Sequence, residues 1–135
     1  MRGFIEKIKN IPNVRKGKGC SLAQIMNAQK KLTLTFPADY VDYLKAFGFI
    51  SFYGTEWTGL NVDGYLNVVQ ATELERAYNP KFPADCFVLE NLAIDDIFII
   101  ADEKGVVYGF QGNKKEKVAD TISDYLDICC LRKRN

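Results

Sequence analysis

Residues 36–48 read FPADYVDYLKAFG and predict one short helix whose start and end are both marked in the sequence. Pro37 has no backbone N–H and a fixed φ, so it suits the first helical position. Gly48 supplies the left-handed residue that ends a helix without a Cβ clash. Between them runs an apolar stripe with the spacing i, i+3, i+4 and i+7, made by Tyr40, Tyr43, Leu44 and Phe47. The pattern predicts a helix that gives three aromatic side chains to the core, and it indicates no chemistry.

Length and composition are those of one ordinary globular domain. The chain has 135 residues, of which 47% are hydrophobic and 26% are charged. No apolar run approaches the roughly 20 residues that span a bilayer, and residues 1–6 do not resemble a secretory signal. The sequence therefore predicts a cytoplasmic protein without a membrane partner. We predict a single domain over residues 1–135, with an N-terminal helix and basic loop at 1–20, a core at 21–130 and a basic tail at 131–135.

The cysteine and histidine content argues against metal and nucleophile chemistry. The chain has no histidine, and its four cysteines, at positions 20, 86, 129 and 130, form no C-x-x-C pair. Histidine is the commonest general base, the usual activator of a serine or cysteine nucleophile, and the commonest transition-metal ligand. The sequence therefore predicts no metal, no cofactor and no catalytic residue, so that the protein is not an enzyme. Cys86 and Cys129 are predicted to be small core residues.

The first third of the chain is predicted to be mainly helical. Residues 3–10 have helical apolar spacing, whereas residues 11–20, with two glycines and three basic side chains, are typical of a mobile basic loop. Ser21 and Gln24 form a capping-box pattern that begins a second helix. The predicted buried stripe of this second helix is Leu22, Ile25, Met26, Gln29 and Leu32.

The rest of the chain changes to a strand pattern and closes with a helix. Strands are predicted at 49–53, 65–69, 86–90, 96–101 and 106–110 and around Val118. A brief helix is predicted at 72–78 with Thr72 as its N-cap. A last helix follows Thr121, with the apolar stripe Ile122, Tyr125, Leu126 and Cys129. Because short connections require antiparallel neighbours, the predicted fold class is α+β: an antiparallel meandering β-sheet with N-terminal helices and a C-terminal helix packed on it.

One ordered set of motifs extends from the second helix to the end of the chain. It comprises LTLTFPADY at 32–40, FVLE at 87–90, IFIIA at 97–101, GVVY at 105–108 and ISDYL at 122–126. In this order and spacing the sequence resembles the SUKH superfamily, whose founding members are the yeast Smi/Knr-type cell-wall regulators. The resemblance covers roughly residues 20–130 and implies the α+β fold of that superfamily without catalytic residues.

The resemblance also implies a protein-binding function. Bacterial members of the superfamily are mostly immunity proteins, which bind and neutralise toxins, often nucleases or deaminases, used between competing cells. Because the binding surface varies among members, the resemblance assigns no contact residues. The expected function is a non-catalytic immunity or antitoxin protein that occludes a cognate protein toxin. The oligomeric state stays open between a monomer and a weak dimer.

The distribution of charge suggests where such a partner binds. Residues 1–50 carry nine Lys/Arg and three Asp/Glu, a net +6, whereas residues 51–127 carry six and fourteen, a net −8. A nuclease toxin is basic around its substrate site, so acidic and aromatic side chains of the second segment are the predicted contacts. These candidates are Tyr53, Glu56, Trp57, Asp63, Glu90, Asp95, Asp96, Asp102, Glu103 and Tyr108. The alternative is that the acids solubilise turns and the aromatics belong to the core.

Two other functions are less favoured by the sequence. The first is a nucleic-acid-binding or regulatory scaffold module that uses the basic N-terminal half together with Arg132, Lys133 and Arg134. No RRM, KH or helix-turn-helix pattern accompanies these residues, so nucleic acid is the less favoured partner. The second is an enzyme that uses a pair of neighbouring carboxylates, such as Asp95 and Asp96, for acid/base chemistry. Adjacent carboxylates in a strand point to opposite faces, which argues against it.

Overall fold

The computed structural model describes the backbone of residues 3–134 and the side chains of residues 3–132. Its helices are α1 (Phe4–Lys9), α2 (Leu22–Leu32), α3 (Ala38–Phe47), α4 (Val68–Tyr78) and α5 (Ile122–Cys130). Its strands are β1 (Arg15–Lys16), β2 (Ile50–Phe52), β3 (Thr55–Glu56), β4 (Cys86–Asn91), β5 (Phe98–Asp102), β6 (Val107–Gln111) and β7 (Lys114–Ala119). Short 3₁₀ turns lie at Gly64–Leu66 and Leu131–Arg134. In the predicted basic tail, the side chains of Lys133 and Arg134 and the whole of Asn135 lie outside the described residues.

The strands of the described chain form two antiparallel sheets. The small sheet has the order β1-β2-β3, and the large sheet has the order β4-β5-β6-β7. The predicted α+β class is confirmed, and the predicted meander is the large sheet, in which each strand pairs with its neighbour in the sequence. The structure differs from the prediction in that β2 pairs with the N-terminal strand β1 on one side and with β3 on the other, rather than with the large sheet.

The apolar stripe of α3 lies at the centre of the core, as predicted. All four of its side chains are buried, and so are the four predicted for α5. The ring centroid of Tyr40 lies 4.6 Å from that of Phe87 on β4, and Phe36 packs edge-on against both rings at 5.0 Å. Alternation along β4 and β5 places Leu89 and Ile99 on this same inner face of the large sheet.

Thr58 supplies the polar contact between α3 and the large sheet. The hydroxyl groups of Tyr40 and Tyr43 donate hydrogen bonds to Thr58 O at 3.1 and 2.7 Å. The Thr58 hydroxyl donates in turn to Val88 O at 2.8 Å, and Thr58 N donates to Leu89 O at 2.8 Å. The phenol groups of two core tyrosines are thereby satisfied without contact with solvent.

The outer face of the large sheet carries a second, smaller apolar cluster that α4 partly covers. The cluster consists of Phe82, Cys86, Val88, Ile100 and Phe110. The buried hydroxyl of Thr72 on α4 accepts a hydrogen bond from Val88 N at 3.0 Å. This contact satisfies a donor on the edge strand β4 and fixes the position of α4 on the sheet.

The substitution Thr72→Val should lower the free energy of unfolding by about 1.5 kcal/mol, because the buried Val88 N–H loses its acceptor while side-chain volume is kept. Chemical denaturation followed by circular dichroism measures this loss. Thr72→Ser keeps the hydroxyl and removes one methyl group, so it is the matched control and should be the milder change. If Thr72→Val were as stable as the unaltered chain, the hydrogen bond would not hold α4 on the sheet.

The predicted mobile loop at 11–20 is instead part of the folded structure. Arg15–Lys16 pairs with β2, and Gly17 N donates to Phe49 O at 2.8 Å. A Cβ atom on Gly19 would lie 2.2 Å from Lys45 O, so the glycine allows the segment to pass directly against the end of α3. In the sequence these glycines suggested a flexible loop, but in the structure they allow the backbone to pack closely against its neighbours.

The predicted strand at 65–69 is wrong, because α4 already begins at Val68. Asn67 caps this helix with its Oδ1 atom, which accepts hydrogen bonds from Val69 N and Gln70 N at 3.0 and 3.1 Å. The two consecutive β-branched valines favoured a strand in the sequence, but the cap and burial against the core outweigh that preference. Thr72 is therefore inside the helix and is not its N-cap.

The predicted stripe of α2 is only partly correct. The capping box formed by Ser21 and Gln24 is present, and Ile25 and Leu32 are buried. Leu22 and Met26, however, are 55% and 58% exposed. The third buried side chain is that of Ala28, so the contact face of α2 is turned away from the larger apolar residues. A small alanine permits close approach of neighbouring helices, which the apolar pattern alone did not indicate.

Candidate functional site

A groove runs between α4 and the outer face of the large sheet, and we call it the α4 groove. It consists of two adjoining cavities of about 310 and 530 Å³, which share Glu75 and Phe98 in their walls. Cavities of this size accommodate several side chains of a partner or a small ligand. The groove brings Asp95 and Asp96, two contacts predicted from the sequence, together with α4 residues that were not predicted.

The end of the α4 groove near the first 3₁₀ turn is apolar. Its apolar lining consists of Tyr65, Ala71, Leu74, Val88 and Phe98. Tyr65 and Leu74 are more than half exposed, and Tyr78, which is 78% exposed, extends the apolar wall towards the other end. Neighbouring exposed side chains of this size are typical of protein contact surfaces.

The other end of the α4 groove is acidic. The charged residues in its wall are Glu75, Asp95 and Asp96. Among the described residues, none of these three carboxylates accepts a hydrogen bond or forms an ion pair. Burial and, secondarily, the charge of Asp96 raise the pKa of Glu75 above its ordinary value. Among the described residues that line this end there is no lysine or arginine, so its negative charge attracts cations.

Hydrogen bonds fix the walls of the acidic end relative to one another. Asn79 Nδ2 donates to Gly112 O at 2.7 Å and joins the end of α4 to the β6–β7 turn. Gln111 Nε2 donates to Asp95 O at 2.7 Å and joins that turn to the loop before β5. Asp95 and Asp96 have left-handed backbone, with φ of 52° and 57°, which aspartate tolerates better than most residues. A defined turn thus presents the two carboxylates, and β5 begins only after the predicted start at Asp96.

Trp57, predicted as a partner contact, is a core residue. Its side chain is fully buried. The indole stacks between the rings of Phe4 and Tyr125, with centroid separations of 6.2 Å to each, and meets Tyr43 edge-on at 5.6 Å. The prediction was wrong because the glycine-bounded segment around Trp57 is not a surface turn. Trp57 N donates to Ile50 O, and this bond holds the segment against the core.

Glu90 is a second predicted contact that belongs to the interior. Its side chain is 4% exposed and forms an ion pair with Arg132, with Nη1 and Oε2 2.7 Å apart. Tyr125 Oη donates to Glu90 Oε1 at 2.5 Å, and Arg132 Nη1 also donates to Thr55 Oγ1 at 2.9 Å. Arg132, predicted as part of a basic tail, therefore connects the C-terminal turn to a strand of each sheet.

Asp102 is also buried and stabilises a turn. Its Oδ1 atom accepts hydrogen bonds from Lys104 N and Val106 N at 2.9 and 3.0 Å, which shapes the β5–β6 connection. Its Oδ2 atom accepts a hydrogen bond from Tyr108 Oη at 3.1 Å. Tyr108 is half-buried on the outer face of the large sheet, with Lys115 Nζ 4.4 Å from the centre of its ring. Both predicted contacts thus have intramolecular partners.

The other predicted contacts lie at the surface but in separate places. Glu56 accepts a hydrogen bond from Tyr65 Oη at 2.9 Å, beside the apolar end of the α4 groove. Asp63 is exposed immediately before the first 3₁₀ turn. Glu103 is exposed and accepts a backbone hydrogen bond from the α2–α3 connection at 2.7 Å. Tyr53 is half-buried and lines a different cavity of about 240 Å³. The ten candidates therefore do not form one surface.

Sequence reasoning missed the contribution of α4 to this groove. Tyr65 had been placed in a strand, and the helix that carries Glu75 was predicted to begin only at Thr72. The available signal was the pair Leu74 and Tyr78, at i and i+4. In a helix that starts at Val68, Leu74 and Tyr78 are not among the buried residues. They form a second apolar stripe, which faces away from the core.

Comparison with known protein families agrees with this architecture. A family model described as SMI1-KNR4 cell-wall, SUKH_5, matches residues 1–131. The chain belongs to the SUKH family. The match confirms the resemblance found in the motifs and extends it through the N-terminal helix of the SUKH chain. No curated protein matches this SUKH chain. Within the part of it that the structure describes, no helix has both the length and the hydropathy needed to cross a bilayer.

Proposed function

We propose that this SUKH protein is a non-catalytic immunity protein that binds a cognate toxin of the nuclease or deaminase type and neutralises it by occlusion. Membership of the family supports the proposal, since bacterial members are mostly immunity proteins. The observation that carries it is the α4 groove, where an apolar wall continues into an end lined by three carboxylates. Such a surface is complementary to a protein that is basic around its active site. The protein would act in the cytoplasm, where the toxin meets its substrate.

The α4 groove favours a protein over a nucleic acid as the partner. Its carboxylates repel phosphate groups, whereas apolar side chains beside charge are typical of protein interfaces. The exposed basic residues Arg15 and Lys16 belong to β1, and Lys30 and Lys31 belong to α2. They are distributed over two elements that form no part of the groove walls. Lys31 lines a separate cavity of about 510 Å³, but its charge is opposed there by Glu73, so this cavity is not a basic site for phosphate groups.

The test is capture of the partner followed by a growth assay. A tagged copy should recover one protein in stoichiometric amount from the native cell, with or without nuclease treatment. Expressed alone in a bacterial host, that protein should stop growth, and co-expression of the SUKH protein should restore it. Occlusion also requires that the purified toxin lose its enzymatic activity when the SUKH protein is added in equimolar amount.

Two outcomes would contradict the proposal. The first is a captured protein that is harmless when expressed alone, which would favour a regulatory scaffold. The second is recovery that collapses after nuclease treatment and at raised salt, which would favour the nucleic-acid-binding alternative.

A variant in which Asp42 and Glu116 become Asn and Gln loses two exposed charges outside the groove and should protect as well as the unaltered protein.

A further inference from the structure

We propose that the acidic end of the α4 groove binds an arginine side chain of the partner, while the apolar end takes an apolar side chain two positions away on the same extended segment. The proposal rests on the proposed function for the statement that the partner is a protein. The two side-chain types expected in the bound segment are inferred from the residues that line the groove.

An organic cation fits the acidic end better than a metal ion. Glu75 lies on α4, whereas Asp95 and Asp96 lie on the opposite wall. Among the described residues, no three His, Cys, Asp or Glu side chains come close enough to hold a metal ion. A guanidinium group, with five N–H donors spread over a plane, can reach carboxylates that are too far apart for one ion.

Arginine is preferred to lysine because the acidic end has aromatic as well as charged walls. Tyr78, Phe98 and Phe110 line the same cavity as the three carboxylates. A guanidinium group stacks on aromatic rings and binds carboxylates through two parallel hydrogen bonds, whereas an ammonium group acts as a compact point charge. The presence of aromatic rings beside carboxylates in one cavity therefore favours the planar cation.

The second contact follows from the shape of the groove. Glu75 and Phe98 form the shared wall between the acidic and apolar cavities, so one ligand can occupy both. Side chains at positions i and i+2 of an extended segment project on the same side about 7 Å apart. The apolar end, with Leu74 and Tyr65 in its wall, then receives an aliphatic or aromatic side chain. The walls are already joined by hydrogen bonds, so binding requires little further ordering.

The peptide acetyl-Leu-Gly-Arg-amide is the probe, because it presents the two side chains at i and i+2. Titrated at low salt into the isotope-labelled protein, it should shift the backbone NMR signals of Glu75, Asp95 and Asp96, with a dissociation constant of the order of millimolar. Replacing its arginine by citrulline removes the charge and keeps the shape. That change should weaken binding at least about fivefold, and replacement by lysine should weaken it less.

The protein variant D95N/D96N supplies the reciprocal test. Asparagine tolerates the left-handed backbone of both positions, so the turn is kept while two charges are lost. Binding of the arginine peptide should weaken at least about fivefold, whereas the variant D42N/E116Q should bind as the unaltered protein does. Equal binding of the citrulline peptide, an unchanged dissociation constant in D95N/D96N, or shifts spread evenly over the acidic surface would overturn the proposal.

The peptide titration needs no toxin, so the two proposals fail separately. If the groove binds the arginine peptide but the protein protects no cell, the immunity function is wrong and the recognition chemistry stands. If the protein neutralises a toxin and D95N/D96N does so with unchanged affinity, the function stands and the arginine site is wrong.

Discussion

Raising the pH from 8 to 11 should lower the free energy of unfolding by about 9 kcal/mol, enough to unfold a protein of ordinary stability. Three buried phenols and two buried thiols cause this loss. Burial raises the pKa of Tyr40, Tyr43 and Tyr125 well above the ordinary tyrosine value. Burial likewise raises the pKa of Cys86 and Cys129 to about 12.

The free energy of unfolding decreases with rising pH because these groups hold their protons more tightly in the folded protein than in the unfolded chain. Above their ordinary pKa values these groups lose protons in the unfolded chain but keep them in the folded protein. Their contribution to stability is therefore complete below about pH 8, decreases as the thiols of the unfolded chain ionise, and decreases more steeply above about pH 10. Each group removes about 1.4 kcal/mol for every pH unit above its unfolded pKa. The expected midpoint of alkaline unfolding lies between about pH 10 and 11.

Urea unfolding at pH 8, 9, 10 and 11, followed by circular dichroism, measures this dependence. The variant Tyr43→Phe removes one titrating group and should make the decrease above pH 10 shallower by about 1.4 kcal/mol per pH unit. Tyr78→Phe makes the same chemical change at an exposed position and is the matched control. A free energy of unfolding that is constant from pH 9 to 11 would show that the core phenols and thiols do not resist ionisation.

These five groups were recognisable in the sequence to different degrees. Tyr40, Tyr43 and Tyr125 lie on stripes with helical spacing, so the pattern alone predicted their burial correctly. Cys86 and Cys129 were predicted to be core residues, and both are fully buried. Helical periodicity reported burial well on α3 and α5, where the apolar stripe is the face that meets the core. It reported burial less well on α2, where a small alanine is at the contact instead of Leu22 and Met26.

Elements were predicted less well where a contact distant in the sequence decides the local structure. β1 is only two residues long and exists because β2 pairs with it. α4 begins at Val68 because Asn67 caps it and the core buries its valines, against their preference for strands. The pairing of β1 with β2 and the burial of the valines depend on residues distant in the sequence, whereas the Asn67 cap is local and could have been recognised there. The α+β class survived both errors because the large sheet depends on short connections that the sequence does show.

The candidate site was harder to predict than the fold because charge and aromaticity in a sequence do not report exposure. Trp57 and Glu90 are residue types that are common in binding surfaces. In the folded protein, however, Trp57 stacks with aromatic rings of the core and Glu90 forms a buried ion pair. Asp95 and Asp96 were predicted as contacts and do line the α4 groove. Their left-handed turn and the opposing wall of α4 arise only in the folded chain, so the groove itself had no sequence signal beyond the pair Leu74 and Tyr78.

The substitution Arg132→Ala should lower the free energy of unfolding by about 3 kcal/mol, because it leaves the carboxylate of Glu90 buried without its counter-charge. The hydrogen bond from Tyr125 remains but does not neutralise the charge. The hydrogen bond to Glu90 raises the pKa of Arg132 above its usual value, although burial alone would lower that pKa. The raised pKa is consistent with a tight ion pair. Chemical denaturation at pH 7 measures the loss.

Matched variants separate the ion pair from the simple removal of a cation. Arg15→Ala removes an exposed arginine from β1 and should change stability by less than about 0.5 kcal/mol. In the double variant with Glu90→Gln, part of the loss caused by Arg132→Ala should be recovered, because a neutral amide needs no counter-charge. If Arg132→Ala were no more harmful than Arg15→Ala, solvent entering beside Glu90 would be replacing the arginine. The C-terminal turn would then be dispensable for the junction between the two sheets.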